Sequence, residues 1–349
     1  MCRSAARAGY DTFLVVADGL GDSQQDGVEI LDVGSMPGRL KRMIKGTQRV
    51  MERGLMLDAD LYHIHDPELL PAALALKRRG KRVIFDAHED LPKQLLSKPY
   101  LHPMLRRPIS VVMGAFERFA CARLDRVVSA TPAIANKFMA MGIPASNINN
   151  FPILGELSGD VGEVKKAHEV CYIGGITAIR GIREVISAMS LSTSGVRLNL
   201  GGNFSEGRIK TQMQQHAGWA KVNELGFLSR SQVRRTLGRS IAGLVTFLPE
   251  PNHIEAQPNK LFEYMSAGLP VIGSNFPLWR EIIEGNACGI CVDPMDPLAI
   301  ATAIDWLVRN PLQARQMGNN GRQAVQKSYN WDREGGKLLA LYEELLRVP

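Results

Sequence analysis

The chain has 349 residues, an apolar fraction of 45% and a charged fraction of 22%, which is typical of a globular protein with room for two domains. No apolar run reaches the about 18 residues that a membrane-spanning helix needs, and the opening MCRSAARAGY lacks the apolar core of a secretory signal. These features exclude an integral membrane protein and predict a cytoplasmic one.

The net charge of +7 is concentrated in the first half of the chain. From Arg39 to Arg126 there are 18 Lys and Arg against 10 Asp and Glu, an excess of 8. This excess predicts either solvated helix faces or attraction to an anionic membrane surface, worth about 1 kcal/mol per well-placed basic residue. Nucleic acid is not expected, because no aromatic residues interleave with the basic ones to stack on bases.

The five cysteines are scattered and do not suggest a disulfide framework. Cys288 and Cys291 form a CxxC in NACGICVDP, but no second pair and no histidine lies near them in the sequence. A zinc site would lack half of its ligands, so the pattern predicts a buried strand with two thiols.

Short β-rich runs alternate with amphipathic helical runs, which predicts parallel sheets covered by helices on both faces. In the first half the predicted strands are YDTFLVVAD, GVEILDV, LYHIHD, KRVIFDAHE and RVVSAT. In the second half they are HEVCYIGGI, VRLNLGGN, VNELGFL, AGLVTFLP, PVIGSN and GICVDP.

The alternation breaks once, at the aperiodic segment FPILGELSGDVGEVKKAHEV, which is typical of a linker. The prediction is an α/β protein with two doubly wound, Rossmann-like domains, 1–157 and 168–331, facing across a cleft. Ligands of such sheets bind at the carboxyl ends of the strands. A final amphipathic helix, 332–349, is expected to pack back on the first domain.

The start of the chain departs from this plan. A doubly wound domain normally begins with its central strand, whereas this chain begins with a helix at about Met1 to Ala8. The expectation is that the first strand of the N-terminal domain is absent, or that the reading frame begins further upstream.

Two glycines and an arginine follow the first strand of the second half, in YIGGITAIRGIREVISAM. The strand is expected to end at Ile173 and to deliver Gly174 and Gly175, which let a ligand approach the backbone, and then Arg180 at a helix start. The forked charge of Arg180 suits a phosphate. A plain strand–turn–helix corner explains the same pattern, so the motif alone leaves both interpretations open.

A lysine and a glutamate lie in the helix predicted from PNKLFEYMSAG, with Pro258 near its start and Gly268 after its end. Glu263 suits the helix dipole without any ligand, whereas Lys260 is a cation at the positive end of a helix. A bound anion would neutralise Lys260. Because Lys260 and Arg180 each follow a strand of the same predicted sheet, they are expected to bracket one diphosphate.

At this point the sequence resembles the retaining glycosyltransferases of family 4, which have the two-domain GT-B fold. Glu255 and Glu263 have the spacing of that family's E-x7-E pair, and FEYMSAGLPVIGSNFPLWREII with CGICVDPMDPLAIATAI resembles its second-domain signature. Weaker similarities in DLYHIHDPELL and VIFDAHED extend the resemblance over nearly the whole chain.

For the donor, the resemblance implies that Glu263 holds the ribose hydroxyls and Glu255 faces the sugar, while Phe227 and Leu228 in NELGFL touch the base. The residues after Glu255 are Ala-Gln-Pro, where the family usually has Gly and Phe, and proline has no N–H for a phosphate.

For the diphosphate, Arg180 matches the second of the family's two basic positions. The first falls on Gly175, so that charge is missing here and Lys260 is the candidate to supply it.

On the acceptor side, His65 in HIHDPE matches the family's cleft histidine, which approaches the reacting sugar. A histidine satisfied by hydrogen bonds at a strand end is the alternative. His63 lies two residues earlier on the same strand, so both rings should point to one face. His88 in DAHED is a further acceptor-side candidate.

The resemblance thus implies a retaining, metal-independent transfer from a UDP-, GDP- or ADP-sugar to a saccharide or lipid-linked saccharide acceptor. Surface polysaccharide synthesis at the inner face of the membrane is the expected setting. No cofactor is expected, and no paired Asp motif suggests a metal. Family precedent favours front-face attack, in which the leaving phosphate takes the acceptor's proton.

Two other functions remain open. A catalytically silent protein that binds a nucleotide-sugar or a partner protein without turnover is consistent with an absent first strand, because the turn after that strand lines the acceptor side in the family. A dehydrogenase that uses NAD is disfavoured, since no GxGxxG follows any predicted strand.

Overall fold

The structure is a computed structural model that describes residues 1–38, 41–96, 101–157 and 167–347. The chain divides into two compact units: 1–149 with 333–349, and 150–332. The second unit begins earlier than the predicted boundary at 157, because Phe151 and Leu157 are buried in its core. The centre of the predicted linker, 158–166, lies outside the described residues.

The first unit contains two sheets. One has the order β1-β3-β2, in which β1 and β3 are parallel and β2 is antiparallel to β3. The other is the parallel sheet β4-β5-β6-β7. The strands are β1 Thr12–Val16, β2 Ser23–Gln25, β3 Val28–Asp32, β4 Leu61–Ile64, β5 Arg82–Ala87, β6 Arg126–Ser129 and β7 Ala145–Asn147. The short strands β2 and β7 were not predicted, because three residues carry too little periodicity.

The helices of the first unit begin with α1, which coincides with the helix predicted at the start of the chain. They are α1 Cys2–Arg7, α2 Thr47–Met56 after a π-helical turn at Arg42–Gly46, α3 Leu70–Arg78, α4 Leu91–Leu96, α5 Pro103–Cys121 and α6 Pro132–Ala140. Among the described residues, no backbone pairing joins β1 to β4, so the doubly wound sheet of this unit is in two parts.

The last helix, α14 (Trp331–Arg347), packs on the first unit. The backbone N–H of Asn149 donates to Glu334 Oε2 at 2.7 Å, and Arg126 pairs with Glu344. The hydroxyl of Tyr342 lies 2.7 Å from His63 Nδ1, which ties this helix to β4.

The second unit has one parallel sheet of order β10-β9-β8-β11-β12-β13, built from the six strands that the sequence predicts. They are β8 Glu169–Ile173, β9 Arg197–Gly201, β10 Val222–Gly226, β11 Gly243–Val245, β12 Val271–Ser274 and β13 Gly289–Val292. Apolar clusters lie on its two faces, as expected when helices cover both.

Among the described residues of the second unit, seven helices cover this sheet: α7 Ile182–Leu191, α8 Gly207–Gln214, α9 Arg230–Arg239, α10 Asn259–Ser266, α11 Pro277–Ile283, α12 Pro297–Arg309 and α13 Pro311–Lys327. Local capping fixes several starts. Ser229 and Gln232 form a capping box at α9, and Asp296 accepts hydrogen bonds at the start of α12. Of the helices that the structure describes, none is long and apolar enough to cross a bilayer.

Candidate functional site

The centre of the second unit's sheet carries the predicted phosphate loop. Gly174 and Gly175 directly follow β8, and β8 is hydrogen-bonded to β9 and β11. Gly174 has φ +122°. A Cβ on Gly202, which follows β9, would lie 2.0 Å from the carbonyl oxygen of Gly174, so only glycine permits this approach. The ends of β8 and β9 are therefore held close together, and the Gly174 N–H donates to the Gly201 carbonyl at 2.9 Å.

Lys260 is the second residue of α10 and its side chain turns inward. The residue is 8% exposed, and its Nζ lies 3.8 Å from the centre of the Tyr172 ring. Nζ has no hydrogen-bond partner among the described residues. Burial, together with the positive charge of Arg180, lowers the pKa of Lys260 well below its usual value. A buried ammonium group without an anion is costly, so this position favours an anionic ligand.

Arg180 lies beside Lys260, but not at a helix start. It ends the 3₁₀ turn Ala178–Arg180, and α7 begins only at Ile182 because Gly181 adopts φ +76°. The guanidinium of Arg180 and the Nζ of Lys260 each lie 5.4 Å from the centre of the Phe247 ring. We call Arg180 and Lys260 the basic pair.

Gly175 makes room for this arginine. Arg180 Nη1 lies 3.4 Å from the Gly175 carbonyl oxygen, and a Cβ at Gly175 would lie 2.7 Å from the same nitrogen. The hydroxyls of Thr177 and Thr246 are buried without a hydrogen-bond partner in the part of the chain that the structure describes. Unsatisfied hydroxyls of this kind are further polar contacts available to a ligand.

Glu263 has a partner that the sequence did not reveal. Arg230, at the start of α9, donates to Glu263 Oε1 at 2.8 Å and to both carboxylate oxygens of Glu156 at 2.8 Å. Arg230 and Glu263 are 33 residues apart in the sequence, and no local sequence pattern marks such a contact, so this ion pair could not be predicted. Glu263 follows Lys260 by three residues on α10, and its negative charge partly offsets the lowering of the Lys260 pKa by burial.

The remaining predicted donor residues lie at the surface. Glu255 is exposed in the turn before α10, and the indole of Trp279 fixes that turn by donating to the Ala256 carbonyl at 2.7 Å. Phe227 is 78% exposed, whereas Leu228 packs against the core beside Gly201. The structure thus joins the glycines, the basic pair and Glu263.

The first unit gathers four polar side chains at the ends of β4 and β5, which we call the histidine cluster: His63, His65, Asp86 and His88. The rings of His63 and His65 stack 4.8 Å apart, in accord with the two-residue period of a strand. Asp86 Oδ2 lies 3.6 Å from His63 Nε2, 3.3 Å from His65 Nδ1 and 3.5 Å from His88 Nε2. Asp86 was not predicted, because a lone Asp in a buried strand has no spacing that marks it.

Electrostatics couples the members of this cluster. Burial alone would raise the pKa of Asp86, but the adjoining His63 and His65 rings outweigh burial and hold that pKa below its usual range. Burial lowers the pKa of His63, which favours its neutral form. A neutral imidazole can accept a proton, donate one or bind a metal ion.

The CxxC residues do not form a site of this kind. Burial raises the pKa of the Cys288 and Cys291 thiols to about 12, so both stay protonated and unreactive at neutral pH.

The sheet order, the glycine loop and the anion-directed basic pair define a ligand-binding α/β protein of the GT-B class. Residues 156–324 match the family described as glycosyl transferases group 1, and residues 1–151 match glycosyltransferase family 4. The chain therefore belongs to this family of glycosyltransferases.

Relatives and solved structures agree with this assignment. A phosphatidyl-myo-inositol mannosyltransferase of Mycobacterium leprae is 30% identical over 83 residues, 24% of this chain and 22% of that protein. The chain spans less than half the length of the curated relatives it matches. Sucrose-phosphate synthase of Thermosynechococcus elongatus has a TM-score of 0.80 at 17% identity, covering 100% of this chain and 92% of that one. HepE of Anabaena with UDP-glucose has a TM-score of 0.72 at 14% identity, covering 95% and 99%. These likenesses show the GT-B fold.

Proposed function

We propose that the protein transfers a sugar from a nucleoside-diphosphate sugar to a saccharide or lipid-linked saccharide, with retention at the anomeric carbon. The observation that carries the proposal is the buried Lys260 beside Arg180 at the glycine loop, because its Nζ has no hydrogen-bond partner among the described residues. A diphosphate would supply the missing negative charge. Family membership and the UDP-glucose complex of the structurally similar HepE support a nucleotide-sugar as its source.

The basic pair accounts for the main energetic need of this reaction. Departure of the leaving group places negative charge on the diphosphate, and cations held in place beforehand stabilise that charge without reorganisation. Two cations make a divalent metal dispensable for the diphosphate. We assign the ribose hydroxyls to Glu263, whose carboxylate is already oriented by Arg230.

Retention is proposed through front-face attack. The leaving phosphate accepts the proton of the acceptor hydroxyl as the new glycosidic bond forms. His65 and Glu255 position the reacting sugar and make no covalent bond to it, and His88 serves the acceptor. We assign the base to the exposed Phe227 and the neighbouring Leu228.

An anionic membrane surface is the proposed place of action. Helix α5 exposes an apolar stripe, Met104, Val111, Val112 and Phe119, whose spacing places it on one face of the helix. Basic residues flank this stripe: Arg107 and Arg118 are exposed on α5, and Arg123 stacks over the Phe119 ring at 3.6 Å. Apolar residues bordered by arginines are typical of a helix that lies on anionic lipid. A membrane-bound acceptor suits surface polysaccharide biosynthesis on the cytoplasmic side.

Vesicle co-sedimentation tests the membrane proposal. We expect the protein to sediment with vesicles of phosphatidylglycerol at low salt but not with phosphatidylcholine, and Val112→Asp to weaken this association. Leu312→Asp is the matched control, because Leu312 is equally apolar and exposed on α13 of the second unit. Equal sedimentation of Val112→Asp and the unmodified protein would exclude α5 as the lipid-binding face.

Thermal unfolding with UDP, GDP and ADP, each with and without EDTA, tests the donor site. A nucleotide at 100 times its dissociation constant should add about 2.7 kcal/mol to the free energy of unfolding. We expect one nucleotide to raise the melting temperature with the same increment in EDTA, and Glu263→Ala to abolish the increment. Glu281→Ala, an exposed glutamate on α11, is the control. No increment with any nucleotide would refute the donor site.

The two-part sheet of the first unit favours a second candidate, a protein that binds the nucleotide-sugar without turnover. The discriminating assay supplies the sugar form of whichever nucleotide stabilises the chain, with membrane lipid extract as acceptor, and measures released nucleotide. Release above the Lys260→Met background supports transfer. Binding without release supports the silent protein.

A further inference from the structure

The histidine cluster of the first unit has the composition of a transition-metal site. We propose that it binds Zn²⁺ through His63 Nε2, His65 Nδ1 and Asp86 Oδ2, with His88 Nε2 as the fourth ligand. One ligand atom from each of His63, His65 and Asp86 lies within 4.8 Å of the other two. Imidazole nitrogen together with carboxylate oxygen is a ligand set that zinc prefers.

The spacing of the ligand atoms supports a tetrahedral ion. With bonds of about 2.0–2.1 Å to the metal, neighbouring ligands of a tetrahedral zinc are about 3.3 Å apart. Asp86 Oδ2 lies 3.3, 3.5 and 3.6 Å from the three histidine nitrogens. The nitrogens of His65 and His88 lie 3.2 Å apart. Four of the six distances between the proposed ligand atoms therefore match those of a tetrahedral ion.

Unsatisfied buried atoms point to the same place. Asp86 is 1% exposed, and neither of its carboxylate oxygens has a hydrogen-bond partner among the described residues. The same holds for His63 Nε2, which faces Asp86. A buried carboxylate is costly unless it is paired with a charge or binds a metal. A zinc ion held by this ligand set would satisfy two of these three atoms, Asp86 Oδ2 and His63 Nε2.

The surroundings orient the innermost ligand. The other ring nitrogen of His63, Nδ1, lies 2.7 Å from the Tyr342 hydroxyl on α14. Donation of the Nδ1 proton to this oxygen leaves the lone pair on Nε2, the atom that faces Asp86. A second hydrogen bond of this kind usually fixes the orientation of a metal-binding histidine.

An ion can reach this site from solvent, because the side chains of His65 and His88 are 38% and 40% exposed. The site lies entirely within the first unit and uses no diphosphate-binding residue. It goes beyond the proposed transfer, with which it shares only His65 and His88, and it departs from the expectation that the chain holds no metal.

A cobalt titration tests the proposal, because tetrahedral Co²⁺ absorbs strongly in the visible range whereas Zn²⁺ does not. The full chain is freed of metal with a chelator, titrated with Co²⁺ and then with Zn²⁺. We expect one Co²⁺ per chain with a tetrahedral spectrum, bleached by one equivalent of Zn²⁺. His65→Gln and Asp86→Asn should each weaken binding at least tenfold, an order of magnitude typical for metal-site changes.

The control is His168→Gln, because His168 is an exposed histidine of the second unit whose ring bonds to the Ser194 carbonyl. Circular dichroism melting confirms that each variant folds, and the partly exposed His65 keeps the test valid if Asp86→Asn does not fold. Binding that both cluster variants retain, or no Co²⁺ binding by the unmodified chain, would overturn the proposal. Nucleotide-induced stabilisation is measured separately, so failure here leaves the donor site standing.

Discussion

The basic pair and the histidine cluster both lie at the carboxyl ends of parallel strands, but they present different charges: two basic side chains in one, and a carboxylate among imidazoles in the other. In the second unit the amine of the buried Lys260 has no hydrogen-bond partner among the described residues. In the first unit a buried carboxylate, Asp86, lacks a hydrogen-bond donor in the described part of the chain and faces histidine nitrogens. The two sites therefore suit different ligands: two basic side chains suit a diphosphate, and imidazole nitrogens around a carboxylate suit a metal cation.

The comparison also separates the roles of glycine and of side chains. In the second unit, glycines provide space at the strand ends. A Cβ at Gly202 would clash with the Gly174 backbone, and a Cβ at Gly175 would clash with Arg180. In the first unit the strand ends at the cluster carry the stacked rings of His63, His65 and His88. Anion binding through backbone and cations needs space, whereas metal binding needs ligand atoms at about 3.3 Å from one another.

Replacing Lys260 with methionine should have the largest effect. Loss of a charge-assisted contact to the diphosphate costs about 1.5–3 kcal/mol, so we expect nucleotide affinity to fall about 100-fold. The melting temperature of the ligand-free protein should rise, because an unpaired buried charge is removed. Calorimetric titration with the stabilising nucleotide measures the first effect. Arg235→Met, an exposed cation on α9, is the control.

The pH dependence of stability checks this prediction independently. Because the pKa of Lys260 in the folded chain lies below the usual 10.5, the unfolded chain binds more protons at pH values between the two. The free energy of unfolding should therefore rise with pH across that window, and Lys260→Met should lose this contribution. An unchanged slope in urea melts at several pH values would show that Lys260 is not held as an unneutralised cation.

Tyr342→Phe should have the next largest effect, on the other site. Removing the hydroxyl frees the His63 ring, and changes to such outer partners typically weaken metal binding 10–100-fold; we expect about tenfold. Competition between the protein and a chromophoric chelator for Zn²⁺ measures it. Tyr329→Phe, in the second unit, should leave zinc affinity unchanged. Equal affinities of Tyr342→Phe and the parent chain would separate α14 from the metal site.

Gly175→Ala should weaken nucleotide binding about fivefold, equivalent to about 1 kcal/mol. The added Cβ would lie 2.7 Å from Arg180 Nη1, a flexible end that can move away, so stability should change little. Gly207→Ala is the matched control, because nothing lies within 4 Å of a Cβ there. A Gly175→Ala protein that binds as tightly as the parent would show that the position of Arg180 does not matter.

The sequence was sufficient for the sheet of the second unit, since its strands are apolar runs closed by glycine or proline. It also indicated that Lys260 is out of place at the positive end of a helix, which led to the anion site. The sequence placed Arg180 wrongly at the start of a helix. Gly181 adopts a left-handed conformation, so the helix begins only at Ile182, and hydrophobic periodicity does not show this. Only glycine fits at position 181, because a Cβ there would lie 1.9 Å from the Thr246 carbonyl oxygen.

The histidine cluster shows the other limit. The sequence placed His63 and His65 on one face and proposed His65 and His88 separately, but convergence on Asp86 depends on the parallel pairing of β4 with β5. Tyr342 comes from a helix 279 residues away from His63. Contacts of this range have no local signature in a single sequence, so the metal site emerges only from the fold.

Arg230→Ala should have the smallest effect, and it distinguishes an orienting residue from a binding one. Arg230 is exposed, and exposed ion pairs contribute about 0–1 kcal/mol, so the melting temperature should shift little. If Arg230 only holds the Glu263 carboxylate in place, its loss should weaken nucleotide binding about twofold, which is near the lower end of the about 0.5–1.5 kcal/mol that ordering one side chain costs. Arg235→Ala on the same helix controls for charge. A loss as large as that of Glu263→Ala would instead make Arg230 a direct ligand of the nucleotide, and the second unit would then hold three cations for one diphosphate.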